Sequence, residues 1–330
     1  MFEVVAVCSL EPSFSRQIAD EYGIPYTCDE PEGIYEMKNI DVIDICTPPY
    51  LHAEQMRKSL LAGKNVICEK PLVGSLKEVD ELGDLASKNG KHILPIFQYR
   101  FGHGFQKLKR LIESGVTGRP YLTTVEVAWR RRADYYAVPW RGKWTTELGG
   151  TLLSHGIHAL DLLCEAMGPA QCVYAQADTR VNPIEVEDCL VASLRMSDGS
   201  LASLSITVGS SVEITRHRFC FANLVAESNT RPYTSSGEPW SFVGDSLEID
   251  QQIQETLAGF QPNREGFEGQ FEQYYQALER DGALPVTLEE ARRALEIVFA
   301  AYYSARRGEE VRLPIPPDAP EYIGFSSNGG

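Results

Sequence analysis

No stretch of this 330-residue chain approaches the roughly 18 to 20 uninterrupted apolar residues that a bilayer span requires. The opening, Met1-Phe2-Glu3, has no basic residue, and residues 4–8 are too short for the apolar segment of a secretion signal. Both absences point to a cytoplasmic protein without a membrane partner. Basic charge is also scarce: 31 Lys and Arg stand against 46 Asp and Glu, a formal net charge of −15. Such a balance excludes nucleic acid as a partner over a wide surface. The run Arg130-Arg131-Arg132 is the exception, and it fits either a local pocket for a small anion or a solvated surface. The eight cysteines form no CxxC pair. Cys8, Cys46, Cys68 and Cys189 lie in apolar runs, where a free thiol acts as a small hydrophobe, so a reducing compartment fits better than a disulfide framework. Only His155 and His158 among the six histidines have a spacing that suits a metal, and no third ligand is near them, so no metal is expected.

What is present is a chain long enough for two cores, with 43% hydrophobic and 23% charged residues, as globular proteins have. Up to residue 97, short apolar runs (residues 4–9, 25–27, 42–47, 65–69 and 92–97) alternate with helical patterns (13–22, 51–62 and 76–89). Continuous apolar strands separated by helices predict a doubly wound parallel sheet, which binds ligands at the carboxyl ends of its strands. The character then changes. A helix near 105–112 leads into a long strand at 121–129. A loop at 130–150, rich in aromatics, Arg and Gly, feeds a helix at 151–167. Alternating runs at 171–179, 189–195, 201–209 and 217–221 predict a largely antiparallel sheet, with a turn at Ser197-Asp198-Gly199. Helices near 267–280 and 288–307 close the chain, and the tail 325–330 is expected to fray. The expected fold class is α/β, with a dinucleotide-binding type of unit at 1–97 and an α/β unit at 98–330.

Three segments carry chemistry. Glu69-Lys70-Pro71 directly follows a buried strand, where a partly desolvated lysine acquires a lower pKa and suits proton transfer. Pro71 fixes the backbone that aims Lys70, although a surface lysine at a strand end has the same pattern. Thr47-Pro48-Pro49, ending at His52, is either a rigid turn beside a cofactor crevice or simply a stiff connection. Gly149-Gly150 permits a tight approach to a helix bearing Ser154, His155, His158 and Asp161. Ser154 and His158 are four apart and share a face, and Asp161 is placed to hold the His158 ring in one tautomer. A core histidine on an apolar helix is the alternative.

These segments, with the late Val311-Arg312-Leu313-Pro314, together resemble the glucose-fructose oxidoreductase / inositol dehydrogenase / MocA family, in order along nearly the whole chain. The resemblance implies a Rossmann domain, an α/β domain whose open sheet forms a homodimer or homotetramer interface, NAD or NADP as cofactor, and a carbohydrate or cyclitol substrate. It places Lys70 and His158 beside the nicotinamide as the catalytic pair. Ser9, Thr47, Pro48, His52, Glu69 and Lys70 fall on the cofactor side. Tyr136, Trp140, Arg141, Ser154, His155 and Asp161 fall on the substrate side, with Tyr135 and Trp144 in the same loop; Trp140 and Trp144 suit junction packing equally.

Two departures accompany it. The family's opening strand and G-x-G-x-x-G turn are absent, and Met1 falls where the second strand should begin, so the start is expected to be truncated or misassigned, the alternative being a natural short form without tight cofactor binding. Ser154 stands where the family often has an acidic residue, leaving His158, with His155 nearby, to carry the proton. Ser9 replaces the acid that would favour NAD. The expected reaction is hydride transfer between a secondary alcohol and nicotinamide. The competing expectations are a sugar-binding regulator without turnover, or a glycosidase or lyase that retains its NAD.

Overall fold

The computed structural model describes residues 2–324, so the tail at 325–330 lies outside the described residues. The first part alternates strand and helix: β1 (Ala6–Cys8), α1 (Pro12–Tyr22), β2 (Tyr26–Cys28), α2 (Glu32–Glu36), β3 (Val42–Ile45), α3 (His52–Leu61), β4 (Asn65–Cys68), α4 (Leu76–Lys88) and β5 (Ile93–Pro95). Local chemistry sets the helix ends. Pro12 opens α1 and Gly23 closes it at φ 68. Ser75 caps α4 by accepting from the Glu78 N–H, and Glu78 reaches back to the Gly74 N–H.

All the pairs in this part are parallel, and they fall into two sheets, β1-β2 and β3-β4-β5. The parallel sheet, expected without its opening strand, is in two pieces. Among the described residues, no strand joins β1 to β3. Register aligns Ile45 with Cys68 and Cys68 with Pro95. The segments that follow, Thr47-Pro48-Pro49, Glu69-Lys70 and Gln98, thus emerge at one common edge.

The second part comprises α5 (His103–Glu113), β6 (Pro120–Arg130), a π-helical turn at Leu152–Gly156 running into α6 (Ile157–Met167), β7 (Ala170–Asp178), β8 (Cys189–Met196), β9 (Leu201–Thr207), β10 (Gly209–Phe221), β11 (Leu224–Glu227), β12 (Ser241–Gly244), α7 (Leu247–Leu257), α8 (Gly266–Arg280), α9 (Leu288–Arg307) and β13 (Val311–Arg312). Its eight strands lie in the order β12-β11-β10-β6-β9-β8-β7-β13, antiparallel except for the parallel pair β6/β9. In β8 and β9, buried and exposed residues alternate, so one face is covered and the other open. Gly199, at φ 89, makes the turn between them.

The core runs without a break from Ile45, Val66 and Leu94 through Leu160 and Leu163 of α6 to Val298 and Phe299 of α9. Arg100, in the turn that follows β5, is held against α6 by Asp161. The Arg100 guanidinium donates to both Asp161 carboxylate oxygens at 2.7 and 2.6 Å, with Glu165 at 3.2 Å and Glu290 at 3.0 Å completing the ring. Asp161 therefore does not steer the His158 ring as the sequence had suggested; the stronger bidentate partner takes both of its oxygens. Removing one member of such a buried pair leaves an unmatched charge. Asp161→Asn is expected to lower stability by about 3 kcal/mol, read from urea denaturation; a loss under about 1 kcal/mol would contradict this role.

Candidate active site

The common edge of β3 and β4, the loop at 130–150 and the π-helical turn enclose a cavity of about 810 Å³. Its floor is formed by Lys70, Ser154, His155 and His158, and Thr47, Pro48, Glu69 and Gln98 line the sheet side. Lys70 crosses the gap: its Nζ donates to the Ser154 carbonyl oxygen at 2.6 Å. Burial draws the Lys70 ammonium below its usual range, opposed by Glu69.

The π-helical turn is fixed from outside the cavity. The Glu187 carboxylate accepts the Gly150 N–H at 2.8 Å, the Leu152 N–H at 2.9 Å and the Tyr302 hydroxyl at 3.0 Å. A Cβ at position 150 would sit 1.9 Å from the Glu187 carbonyl oxygen, so only glycine fits there. Winding that departs from the α form marks many functional sites. Here it sets His155 and His158 on the same cavity as Lys70. Burial and the cations Lys70, Arg131 and Arg141 hold His155 well below the usual imidazole range; burial, Lys70 and His155 do the same for His158. Both rings are therefore neutral bases at pH 7. The His158 ring stacks on Tyr99 with centroids 4.7 Å apart, and its Nδ1 is buried without a partner.

The loop brings Tyr135, Trp140 and Arg141 to the cavity. The Arg141 guanidinium lies over the rings of Tyr135 and Trp140, 4.0 and 4.2 Å from their centroids. Of the arginine run, only Arg131 lines the cavity, stacked against Trp129 and Tyr233; Arg130 is exposed, and Arg132 donates to the carbonyls of Val208 and Gly209.

Several expected site residues lie elsewhere. His52 is buried between two turns, Nδ1 2.9 Å from the Pro71 carbonyl oxygen and Nε2 2.7 Å from that of Thr47, so it braces the edge rather than facing the cavity. Ser9 ends β1 away from the cavity and accepts the Glu11 N–H. Tyr136 packs edge-on against Tyr135 outside the lining. Trp144 donates to the Glu185 carbonyl oxygen and packs on Tyr302. Asp161 is held by Arg100. Sequence reading passed over Gln98, Tyr99, Trp129, Glu147 and Tyr233, all of which line the cavity. Glu147 lies two residues before the glycine pair, a signal within reach. Tyr233 comes from a distant loop pinned by Thr215 to the Pro232 carbonyl, with no local signature.

Residues 1–97 match the model of the oxidoreductase family with an NAD-binding Rossmann fold, and residues 105–220 match the GFO/IDH/MocA C-terminal domain. The chain belongs to the Gfo/Idh/MocA oxidoreductase family. One relative in the family, D-glucoside 3-dehydrogenase of Escherichia coli, is 36% identical over 169 residues, covering 50% of this chain and 47% of its own. The chain thus spans about half the length of that curated relative. Trans-1,2-dihydrobenzene-1,2-diol dehydrogenase of Danio rerio is 25% identical over 324 residues, 90% of each chain. Among solved structures, the WlbA dehydrogenase of Bordetella pertussis, in complex with NADH and UDP-GlcNAcA, superposes with a TM-score of 0.83 at 26% identity, covering 95% of this chain and 91% of its own. The expected family and the pairing of a Rossmann-like unit with a large mixed sheet are both found.

Burial pushes the Glu187 carboxyl up, to about 8, against its three donors. An acid raised on folding gives stability that is complete below its unfolded pKa of about 4.5 and is lost as pH rises through about 8. Glu187→Gln, which mimics the protonated acid, is expected to remove that part of the decline. Denaturation midpoints of both proteins at several pH values between these limits check it; parallel slopes would rule it out.

Proposed function

We propose that this chain is an NAD(P)-dependent oxidoreductase that moves a hydride between a secondary alcohol carbon of a carbohydrate or cyclitol and nicotinamide. The observation that carries this reading is the convergence of Lys70, His155 and His158 on one cavity at the carboxyl edge of a parallel sheet. The residues there fit a nicotinamide. The Thr47-Pro48-Pro49 turn offers an apolar, rigid wall, and the Gln98 Oε1 is a buried acceptor without a partner, which a bound donor would satisfy. The cofactor supplies the hydride acceptor. The chain's share is to orient the alcohol and handle its proton: Lys70 steadies the oxygen as negative charge develops, and the histidine pair accepts the proton. Tyr135, Trp140 and Tyr233 offer faces for the CH surfaces of a ring sugar, and Arg141 offers a fork to hydroxyl or carboxylate groups. Relatives named for glucosides and for UDP-GlcNAcA support a pyranose scaffold. The open face of the eight-stranded sheet, with Tyr174 and Val191 exposed, is the surface for a second copy in a homodimer or homotetramer. Among the described residues, no helix is long and apolar enough to cross a membrane, and a cytoplasmic site fits the free cysteines.

Titration with NADH and NADPH, followed by NAD(P)-linked oxidation of a panel of pyranosides, uronic acids and inositols, tests this reading. Turnover on one class is the expected result, with Lys70→Ala lowering kcat/KM by roughly 100-fold. Binding of NADH with conversion of a glycoside but no net reduction would identify the cofactor-retaining lyase instead, and no dinucleotide binding would leave the sugar-binding regulator.

A further inference from the structure

We infer that the substrate is an acidic sugar, a uronic acid or a derivative of one, whose carboxylate is received side-on by Arg141. The inference rests on the oxidoreductase reading and narrows its substrate from carbohydrates and cyclitols to ring sugars that carry a carboxylate.

Three observations carry it. First, Arg141 has an unused edge. Its Nη1 donates to the Tyr135 hydroxyl and lies 3.5 Å from Glu147 Oε1, but among the described residues neither Nε nor Nη2 has a hydrogen-bond partner. Those two N–H groups lie along one edge of the planar guanidinium, the edge that grips a carboxylate bidentately. Arg100 shows the fit within this same chain: its Nε and Nη2 hold the two oxygens of Asp161 at 2.7 and 2.6 Å.

Second, that edge is left for a ligand. The rings of Tyr135 and Trp140 lie against the guanidinium face, 4.0 and 4.2 Å from its central carbon, and stacking of this kind leaves edge donors free. The Arg141 side chain is 23% exposed and lines the cavity. Glu147 does not fill the role. It meets only Nη1, and its other oxygen accepts the Gly142 N–H at 2.5 Å.

Third, the place and its charge suit a substrate carboxylate. The Tyr135 ring touches both Arg141 and, at a centroid distance of 5.6 Å, the His155 ring. The fork and the reactive floor thus flank a single aromatic ring, a separation that a pyranose with an exocyclic carboxylate spans. Arg131 lies 5.2 Å from that same ring and adds positive charge without competing for the ligand. Its Nη1 is committed to Glu213 and the Arg130 carbonyl oxygen, and its Nη2 to the Tyr233 hydroxyl. The charges felt at His155 are those of Lys70, Arg131 and Arg141, all positive. A neutral sugar would leave the two donors of the fork without a charged partner, whereas a carboxylate matches both and the field around them.

A phosphate fits less well. Two donors on one edge suit the two coplanar oxygens of a carboxylate, while a phosphate presents a third oxygen. Lys70 is held by the Ser154 carbonyl oxygen and Arg131 by Glu213, so neither is free to meet it. The carboxylate takes no part in hydride transfer. Its task is to fix which carbinol carbon faces Lys70 and the histidines.

The test uses the intact chain with NAD or NADP and three sets of probes: hexuronic acids of gluco, galacto and manno configuration, their neutral amides, and the 6-phosphates of the parent hexoses. The amide keeps the shape of the acid and loses its charge. In wild type, at least one acid is expected to exceed its amide by roughly 100-fold in kcat/KM. Arg141→Lys keeps a positive charge but loses the fork, and is expected to bring that ratio below roughly tenfold. The wild-type ratio needs no variant, so it decides the matter if Arg141→Lys does not fold. A ratio near one, an unchanged ratio in Arg141→Lys, preference for a 6-phosphate, or turnover confined to neutral sugars or inositols overturns the inference and leaves the oxidoreductase reading standing. Calorimetric titration of the acids and amides into wild type reads the same preference without turnover, and no binding of any acid also overturns the inference. Binding of an acid by a chain that binds no dinucleotide would keep the carboxylate site and sink the oxidoreductase reading instead.

Discussion

One hydrogen bond joins the chemistry of the two parts of this chain. Lys70, at the end of a strand in the small parallel sheet, donates to the Ser154 carbonyl oxygen 84 residues later, in the π-helical turn that leads into α6. A lysine drawn from water needs such an acceptor, because an unpaired ammonium in a closed site is far more costly than a paired one. Meeting that need fixes the distance between the sheet edge and the helix that bears both histidines. That distance sets where His155 and His158 stand relative to Lys70.

A second constraint lies behind the helix. Glu187 and Tyr302 bind the backbone where α6 begins, and they approach so closely that no side chain fits at position 150. The two glycines that the sequence displays are thus packing requirements as much as flexible joints. Their effect is felt on the opposite side of the helix, where Ser154 and His155 turn toward the cavity. The Arg100–Asp161 pair holds α6 from the core.

Much of the architecture was legible from residue pattern alone. Strands β3 and β4, with the helices between them, followed from apolar runs of the right length, and the Ser197-Asp198-Gly199 turn from its residue types. The short strands β11 and β12 at one end of the sheet escaped because their partners, not their own pattern, make them strands. In the site, Lys70 and His158 were visible because a motif surrounds each. Asp161 was misjudged because helical spacing brings it near His158, while Arg100, distant in sequence, offers a better ionic partner. His52 was misjudged for a related reason: polar and next to a turn, it suggested ligand binding, yet two backbone carbonyls claim its ring. Single-chain spacing shows what is near, and tertiary competition decides what pairs.

The outer wall of the cavity has a different origin from its floor. Tyr233, Thr234, Ser236 and Gly237 belong to the connection between β11 and β12, and Glu265, Gly266 and Phe267 form the N-terminal end of α8. Loops of this kind accept insertions and substitutions that sheets and helices do not. The rim of the cavity can therefore be redrawn by changes that leave the floor of Lys70, Ser154, His155 and His158 in place.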